Sequence, residues 1–295
     1  MFKFNHISDL LAISQEMAIP LSEIGWRWET ERSDASPQAV WDNMAASLTV
    51  MRESVQTGLT QQEKSFSGLV GGDAARLISR ADSPVCLAGP VAARAAAYAM
   101  AVNELNACMG RIVACPTAGS CGILPGAMLA AAEFFHFDDP ALIRGLFTAA
   151  VIGLVIAENA SISGAYGGCQ AECGSAAAMA AGAIVEMAGG TPQQSGEAVA
   201  LSLKNMLGLV CDPVAGLVEI PCVKRNAFGA VHALVAAEMA MAGIQSVIPA
   251  DEVIAAMHQI GLSMPKALRE TSEGGLAKTP TAQKITERIL AGKQA

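Results

Sequence analysis

From residue 86 onward, apolar residues fill this chain in long runs, separated by short Gly-, Pro- and polar-rich stretches. Within the runs Ala, Leu, Met and Glu dominate, and alternating β-branched or aromatic stretches are nearly absent. That pattern predicts helices and not strands. Helix boundaries are well marked. Ser36-Pro37 opens a helix through about Thr57, with Ser as N-cap and Pro in the first turn. Asp139-Pro140 opens another that runs to about Ala157, and Thr191-Pro192 opens a third after Gly189-Gly190 closes its predecessor. Further helices are predicted over 8–18, 21–32, 90–108, 123–136, 171–188, 223–243, 250–261 and 281–291. The fold class is all-α: a multi-helix globular unit with Gly/Pro-rich loops.

The periodicity breaks near 60–85, where TQQEKSFSGLVGGDA brings in Gly and polar residues. Residues 1–60 carry Trp26, Trp28 and Trp41 and much of the charge. The expected organisation is an N-terminal helical segment, 1–60, packed on a helical domain, 61–295, the two forming one continuous unit. The polar stretch from Glu270 is expected at the periphery.

Hydrophobic residues make up 52% of the chain and the mean hydropathy is +0.39, which raises the question of a membrane. Phe147–Ala157 is bounded by Arg144 and Glu158, Gly174–Val185 by Glu172 and Glu186, and Ala227–Ala237 by Arg225 and Glu238. None of these three reaches the roughly 18–20 uncharged residues of a span, so core helices of a soluble protein are expected. Their apolar surface is expected to be covered by a partner. A net charge of −8, a pI near 5.1 and only 4% aromatics argue against a nucleic-acid role. MFKFNHISDLL shows no secretory pattern, so a cytoplasmic location is expected. There the eight cysteines are expected as thiols or metal ligands and not as disulfides.

Four irregular segments interrupt the helices: KSFSGLVGGDA (64–74), CPTAGSCGILPG (115–126), ENASISGAYGGCQ (158–170) and CDPVAGLVEIPC (211–222). Loops of this composition expose backbone N–H groups and hydroxyls, and before a helix they suit anions. Thr117, Gly119 and Ser120 precede the helix starting near Ile123 and form a candidate carboxylate cradle; small residues that merely let helices approach are the alternative. Cys169, Cys211 and Cys222 each lie in such a break, where a sulfur can turn toward a common centre. Cys86 and Cys108 are expected as small core residues. Cys115, Cys121 and Cys173 are open; Cys173 follows Cys169 by four residues, as ligand or bystander. None of these spacings is a CxxC, so local metal-motif logic is weak. Of the four histidines, His6, His136, His232 and His258, the expectation for His232 is a satisfied core residue and for His136 a helix C-terminus. Lys64 and Arg225 are possible substrate contacts, although isolated charges usually face solvent.

GGCQAECGSAAAMAAG, LVCDPVAGLVEIPCVKRNAFGAV and RIVACPTAGSCGILPG together resemble the signature segments of the iron–sulfur-dependent L-serine dehydratases, over nearly the whole chain and in the catalytic α part. The resemblance implies that Cys169, Cys211 and Cys222 hold a 4Fe–4S cluster. Three protein thiolates leave one iron open, and that iron would act as a Lewis acid on the hydroxyl of L-serine. The products would be pyruvate and ammonia, and activity would be oxygen-sensitive. No ACT-like segment is visible within the chain, so the resemblance implies a separate β chain carrying one. Some single-chain members supply a tail cysteine to the fourth iron; this sequence ends KQA, with no cysteine after Cys222. The general base is not assignable from the sequence, and the partner is a possible source. No Lys lies in a recognisable pyridoxal-phosphate setting. The rival readings are a cysteine desulfidase of the same β-elimination type and a non-catalytic helical subunit.

Overall fold

Helix α9 (Ser175–Met187) is apolar on every side, and a helix of that kind is stable only when other helices surround it. It packs against α6 (Ile123–Phe135), α7 (Asp139–Asn159), α10 (Pro192–Met206) and α11 (Cys222–Met241). A second inner helix, α5 (Pro90–Ala107), packs against α3 (Pro37–Thr60), α4 (Asp73–Ala81), α6 and α11. Alanine and glycine make these approaches possible. A Cβ on Gly58, Gly122 or Gly126 would overlap the backbone of α5 at Ala99 or Ala101. The remaining α-helices are α1 (Ile7–Met17), α2 (Leu21–Ser33), the single turn α8 (Gly164–Gly167), α12 (Ala250–Ser263) and α13 (Pro280–Leu290).

This computed structural model describes residues 2–61 and 63–292; the terminal Lys-Gln-Ala noted above lies outside the described residues. Among the described residues there is no strand, only one isolated parallel bridge between Cys211 and Arg269. The all-α expectation therefore holds. The predicted caps also hold: Ser36 and Thr191 accept hydrogen bonds from the Ala39 and Gln194 amides. At α7 the cap is Asp138, one residue ahead of the predicted start.

Three expectations need correction. Residues 60–85 are not simply a break, because α4 forms there. Its amphipathic DAARLISRA was hidden by the surrounding glycines, and its first amides, Gly72 and Asp73, donate to the buried Glu104 carboxylate at 2.9 and 3.0 Å. The stretches Ala118–Phe135 and Asp139–Asn159 do reach the length and hydropathy of a span, since α7 continues through Arg144 and Glu158. Each is 67% buried inside the fold, as core helices are. Cys86 and Cys108 are half-buried at helix margins and not core residues.

The first sixty residues share the main apolar cluster: Ile7, Leu10, Leu21 and Ile24 are buried together with Phe147, Ile152 and Leu203. Trp41 bridges the two, its ring 5.7 Å from Trp26 and 6.1 Å from Phe147. After α12 the chain crosses back over the 211–216 loop, and α13 packs on that loop.

Candidate functional site

The Gly167-Gly168 break ends α8 and gives way, after Cys169, to one π-helical turn, Gln170–Gly174. Gln170 anchors this segment. Its amide donates to Leu209 O, its Oε1 accepts from the Gly208 amide and its Nε2 donates to Met257 O, each at 2.9 Å. The wide turn aims Cys169, Glu172 and Cys173 inward, and such turns recur at functional sites.

Cys211 arrives from the other side in extended conformation. Its amide donates to Leu268 O at 2.9 Å, and its carbonyl accepts from the Glu270 amide at 2.8 Å. Cys222 is the first residue of α11. Four residues on, Asn226 is fully buried and crosslinks three places. Its Nδ2 donates to Cys222 O at 2.9 Å and Gly119 O at 2.7 Å, and its Oδ1 accepts from the Gly122 amide at 2.9 Å. The 115–122 loop is thereby fixed against the start of α11.

These segments converge. One ligand atom each from Cys169, Glu172 and Cys211 lie within 4.8 Å of one another, all from buried residues. Cys222 is buried too, outside that closest set, and the Cys169 charge raises its thiol pKa after desolvation. Cys173 lies directly behind Cys169 and hydrogen-bonds to it. Glu172 belongs to this cluster although no motif in the sequence singled it out. Its position three residues after Cys169 was the available signal, because a helical turn puts both on one face. Thr117 Oγ1 donates to Glu172 Oε1 at 2.8 Å, and Cys211 Sγ lies 3.9 Å from Oε2.

The electrostatics split the thiols. Hydrogen bonds from Cys173 and Cys211, with the Arg225 cation, hold Cys169 well below an ordinary thiol in spite of burial. Cys173 and Cys211 are pushed up, first by donating to Cys169 and then by burial. Burial, and next the Cys169 charge, raise Glu172 to about 7. A low-pKa thiolate flanked by buried thiols is a nucleophile or a soft-metal ligand.

The expected cradle has a different use of its groups. Thr117 lies against Glu172, Thr117 Oγ1 and Ser120 Oγ are 3.1 Å apart, and Ser120 is fully buried. A Cβ on Gly119 would meet Glu172 Oε1 at 3.0 Å, so the cradle forms one wall of the cysteine site. Arg225 is corrected from a free substrate contact: Val210 O, Asp212 and Cys169 occupy its guanidinium. Lys64 is likewise committed, to Gly71 O at 2.5 Å. His232 is a satisfied histidine, as expected, with Nε2 2.9 Å from Ser202 O and Nδ1 3.3 Å from Asn205 Nδ2. His136 caps α6 at its C-terminus. Cys115 and Cys121 are buried side by side; desolvation pushes Cys115 up and Cys121 to about 12, so they behave as packed thiols.

The sequence places this helical chain, with its buried thiol-and-carboxylate site, in a known family of enzyme chains. Residues 16–277 match the family described as serine dehydratase alpha chain, and the chain belongs to that family. It is 53% identical over 289 residues to the probable L-serine dehydratase, alpha chain, of Bacillus subtilis strain 168, covering 98% of this chain and 96% of that one. It is 43% identical over 286 residues to the L-serine dehydratase, alpha chain, of Peptoniphilus asaccharolyticus, covering 97% and 98%. An L-serine dehydratase of Streptomyces coelicolor is 39% identical over 282 residues, which make up 94% of this chain and 61% of that longer one.

Proposed function

We propose that this chain is the cytoplasmic catalytic α subunit of an L-serine dehydratase, a lyase that converts L-serine to pyruvate and ammonia. Cys169, Cys211 and Cys222 would hold a 4Fe–4S cluster. The observation that carries the reading is the convergence of three loop-borne segments, which brings Cys169 and Cys211 together beside Glu172 with Cys222 buried at the adjoining helix start.

The donor set fits such a cluster. Thiolate sulfur is its preferred ligand, and these thiols are buried and come from separate segments of the chain. At the first turn of α11 the helix dipole offsets part of the desolvation that raises the Cys222 thiol pKa. When bound, the cluster would supply an open iron that polarises the serine hydroxyl as a leaving group.

The chain's own residues shape the remainder. Thr117 fixes the Glu172 carboxylate, so the polar wall beside Cys211 is ordered before substrate arrives. Gly119 and Gly164 leave space against that wall, where a side chain would intrude. Thr117, Gly119 and Ser120 would line the substrate's carboxylate end. Burial of the whole constellation excludes bulk water, which strengthens every interaction in it.

Relatives named as alpha chains point to assembly with a separate subunit, and we assign that role to an ACT-like β chain. Exposed apolar side chains such as Phe66, Tyr166 and Phe228 suit a covered surface. The deciding experiment is anaerobic reconstitution of the chain with its partner, with iron and sulfide measured beside pyruvate formation from L-serine. Pyruvate with cluster-loaded protein, lost together with iron in Cys222→Ser, is expected. Sulfide release from L-cysteine without turnover of L-serine would replace the reading with a desulfidase. Turnover of neither would leave a non-catalytic subunit.

A further inference from the structure

A single guanidinium touches all three cysteine-bearing segments. Arg225 is one helical turn after Cys222, on α11. Its Nη2 donates to Asp212 Oδ1 at 2.9 Å, and Asp212 follows Cys211 directly. Its Nη1 donates to Val210 O at 2.7 Å and lies 3.4 Å from Cys169 Sγ. The ion pair is deeply placed, with side-chain exposures of 16% for Arg225 and 3% for Asp212. A buried pair of this kind is poor evidence of stabilisation, because desolvating both charges offsets their attraction. Its geometric effect is plain: it sets the positions of the Cys169, Cys211 and Cys222 segments relative to one another.

The pair is held from outside by the chain after α12. Asp212 Oδ2 accepts from the Leu276 amide at 2.7 Å, and Ser272 Oγ donates to Pro213 O at 2.6 Å. With the two Cys211 hydrogen bonds to Leu268 and Glu270, residues 268–276 are zipped along 211–213. Gly275 is required there. It has φ +57°, and an added Cβ would meet Asp212 Cβ at 2.7 Å.

We infer that Arg225 and Asp212 are positioning residues for the sulfur cage, clamped by residues 268–276, and that they set how tightly the cage retains its iron. The inference rests on the cluster reading above and adds the layer outside the ligands. Such outer partners typically change metal affinity about 10–100-fold, and hydrogen bonds and charge near sulfur tune cluster potential.

The test uses anaerobically loaded protein with its partner. Arg225→Met is expected to release iron to a chelator about tenfold faster than wild type. It also removes a cation and a donor to sulfur, so the cluster's reduction potential is expected to fall. Asp212→Asn keeps the outline but removes the anion and turns one of its two acceptors into a donor, so the potential is expected to rise and iron release to quicken. Opposite shifts separate charge positioning from general loosening, which has no reason to produce them. Arg225→Lys covers failure of the Met variant to fold. One ammonium balances Asp212 but cannot span Asp212, Val210 and Cys169 together, so faster iron release is expected again. Wild-type iron release and potential in the Arg225 variants overturn the inference. A wild-type protein that takes up no cluster overturns instead the reading beneath it.

Discussion

Gly164→Ala is a single-methyl test of the site. In an open helix the change favours folding by about 0.5–1 kcal/mol, because Gly costs more backbone entropy. Here the added Cβ would sit 2.6 Å from Glu172 Oε2, 3.1 Å from its Cδ and 3.2 Å from Cys211 Sγ. Glu172 cannot swing aside freely, since Thr117 holds its other oxygen at 2.8 Å and the residue is buried. Cys211 is fixed by its two backbone hydrogen bonds. Overpacking of a closed site typically costs about 1–3 kcal/mol. Taking the middle of each range, a net of about 1 kcal/mol remains opposed to the native arrangement of Glu172 and Cys211, or roughly a 5-fold change in an equilibrium constant. The expectation is that iron loading weakens by that factor while the helical circular dichroism is unchanged. The assay is anaerobic titration with iron and sulfide, read by bound iron and the thiolate-to-iron absorbance. Gly196→Ala is the control, because its Cβ meets the flexible end of Leu11 at 3.1 Å and Ile7 Cγ2 at an ordinary 3.7 Å. Wild-type loading in Gly164→Ala would refute the claim that this wall closes on a metal-bearing sulfur.

Substituting Ser for Cys169, Cys211 or Cys222 is expected to abolish iron binding and activity with helicity kept, whereas Cys173→Ser and Cys86→Ser retain iron; metal analysis of the five proteins decides this. Activity is expected to decay in air and return with ferrous iron and a thiol, and full activity after prolonged aeration would count against an open iron. Asp251 caps α1 from 244 positions away, accepting from the Ile7 amide at 2.7 Å and the Ser8 amide at 3.1 Å, so Asp251→Ala is expected to cost about 1 kcal/mol in denaturant unfolding. Arg52 pairs with Asp139 across α3 and α7, and its hydrogen bond is the main reason the Asp139 pKa lies below the ordinary 3.8. That contribution is present above the unfolded value and lost as the pH falls through the lower folded one. Arg52→Met should therefore be slightly less stable than wild type near neutrality, with the two converging in acid; parallel curves in thermal unfolding across roughly pH 5 to pH 2 would contradict it.

Local signals were enough for the helices, because capping residues and apolar periodicity act within a few positions of one another. Ser36-Pro37 and Thr191-Pro192 gave their helix starts correctly, while α4 escaped because its glycine-rich approach, stabilised by the distant Glu104, reads as loop. The three cysteines were legible as candidates through their loop settings and their family resemblance. That Cys169 and Cys211 meet followed from the resemblance and not from their spacing, since no CxxC-like spacing links the segments, and that Glu172 joins them was not legible at all. Arg225 shows the limit well. As an isolated charge in the sequence it reads as a solvent-facing residue or a possible substrate contact, yet its partners lie at 169, 210 and 212. The chain alone determined an all-helical protein of this family with thiols held on flexible-looking breaks. Only the packed structure decided which thiols share a centre, what carboxylate joins them and what holds them there. The physical reason is that helix formation is governed by neighbours along the chain. A metal-competent site depends on distances between residues far apart in sequence, and those distances exist only once the helices have packed.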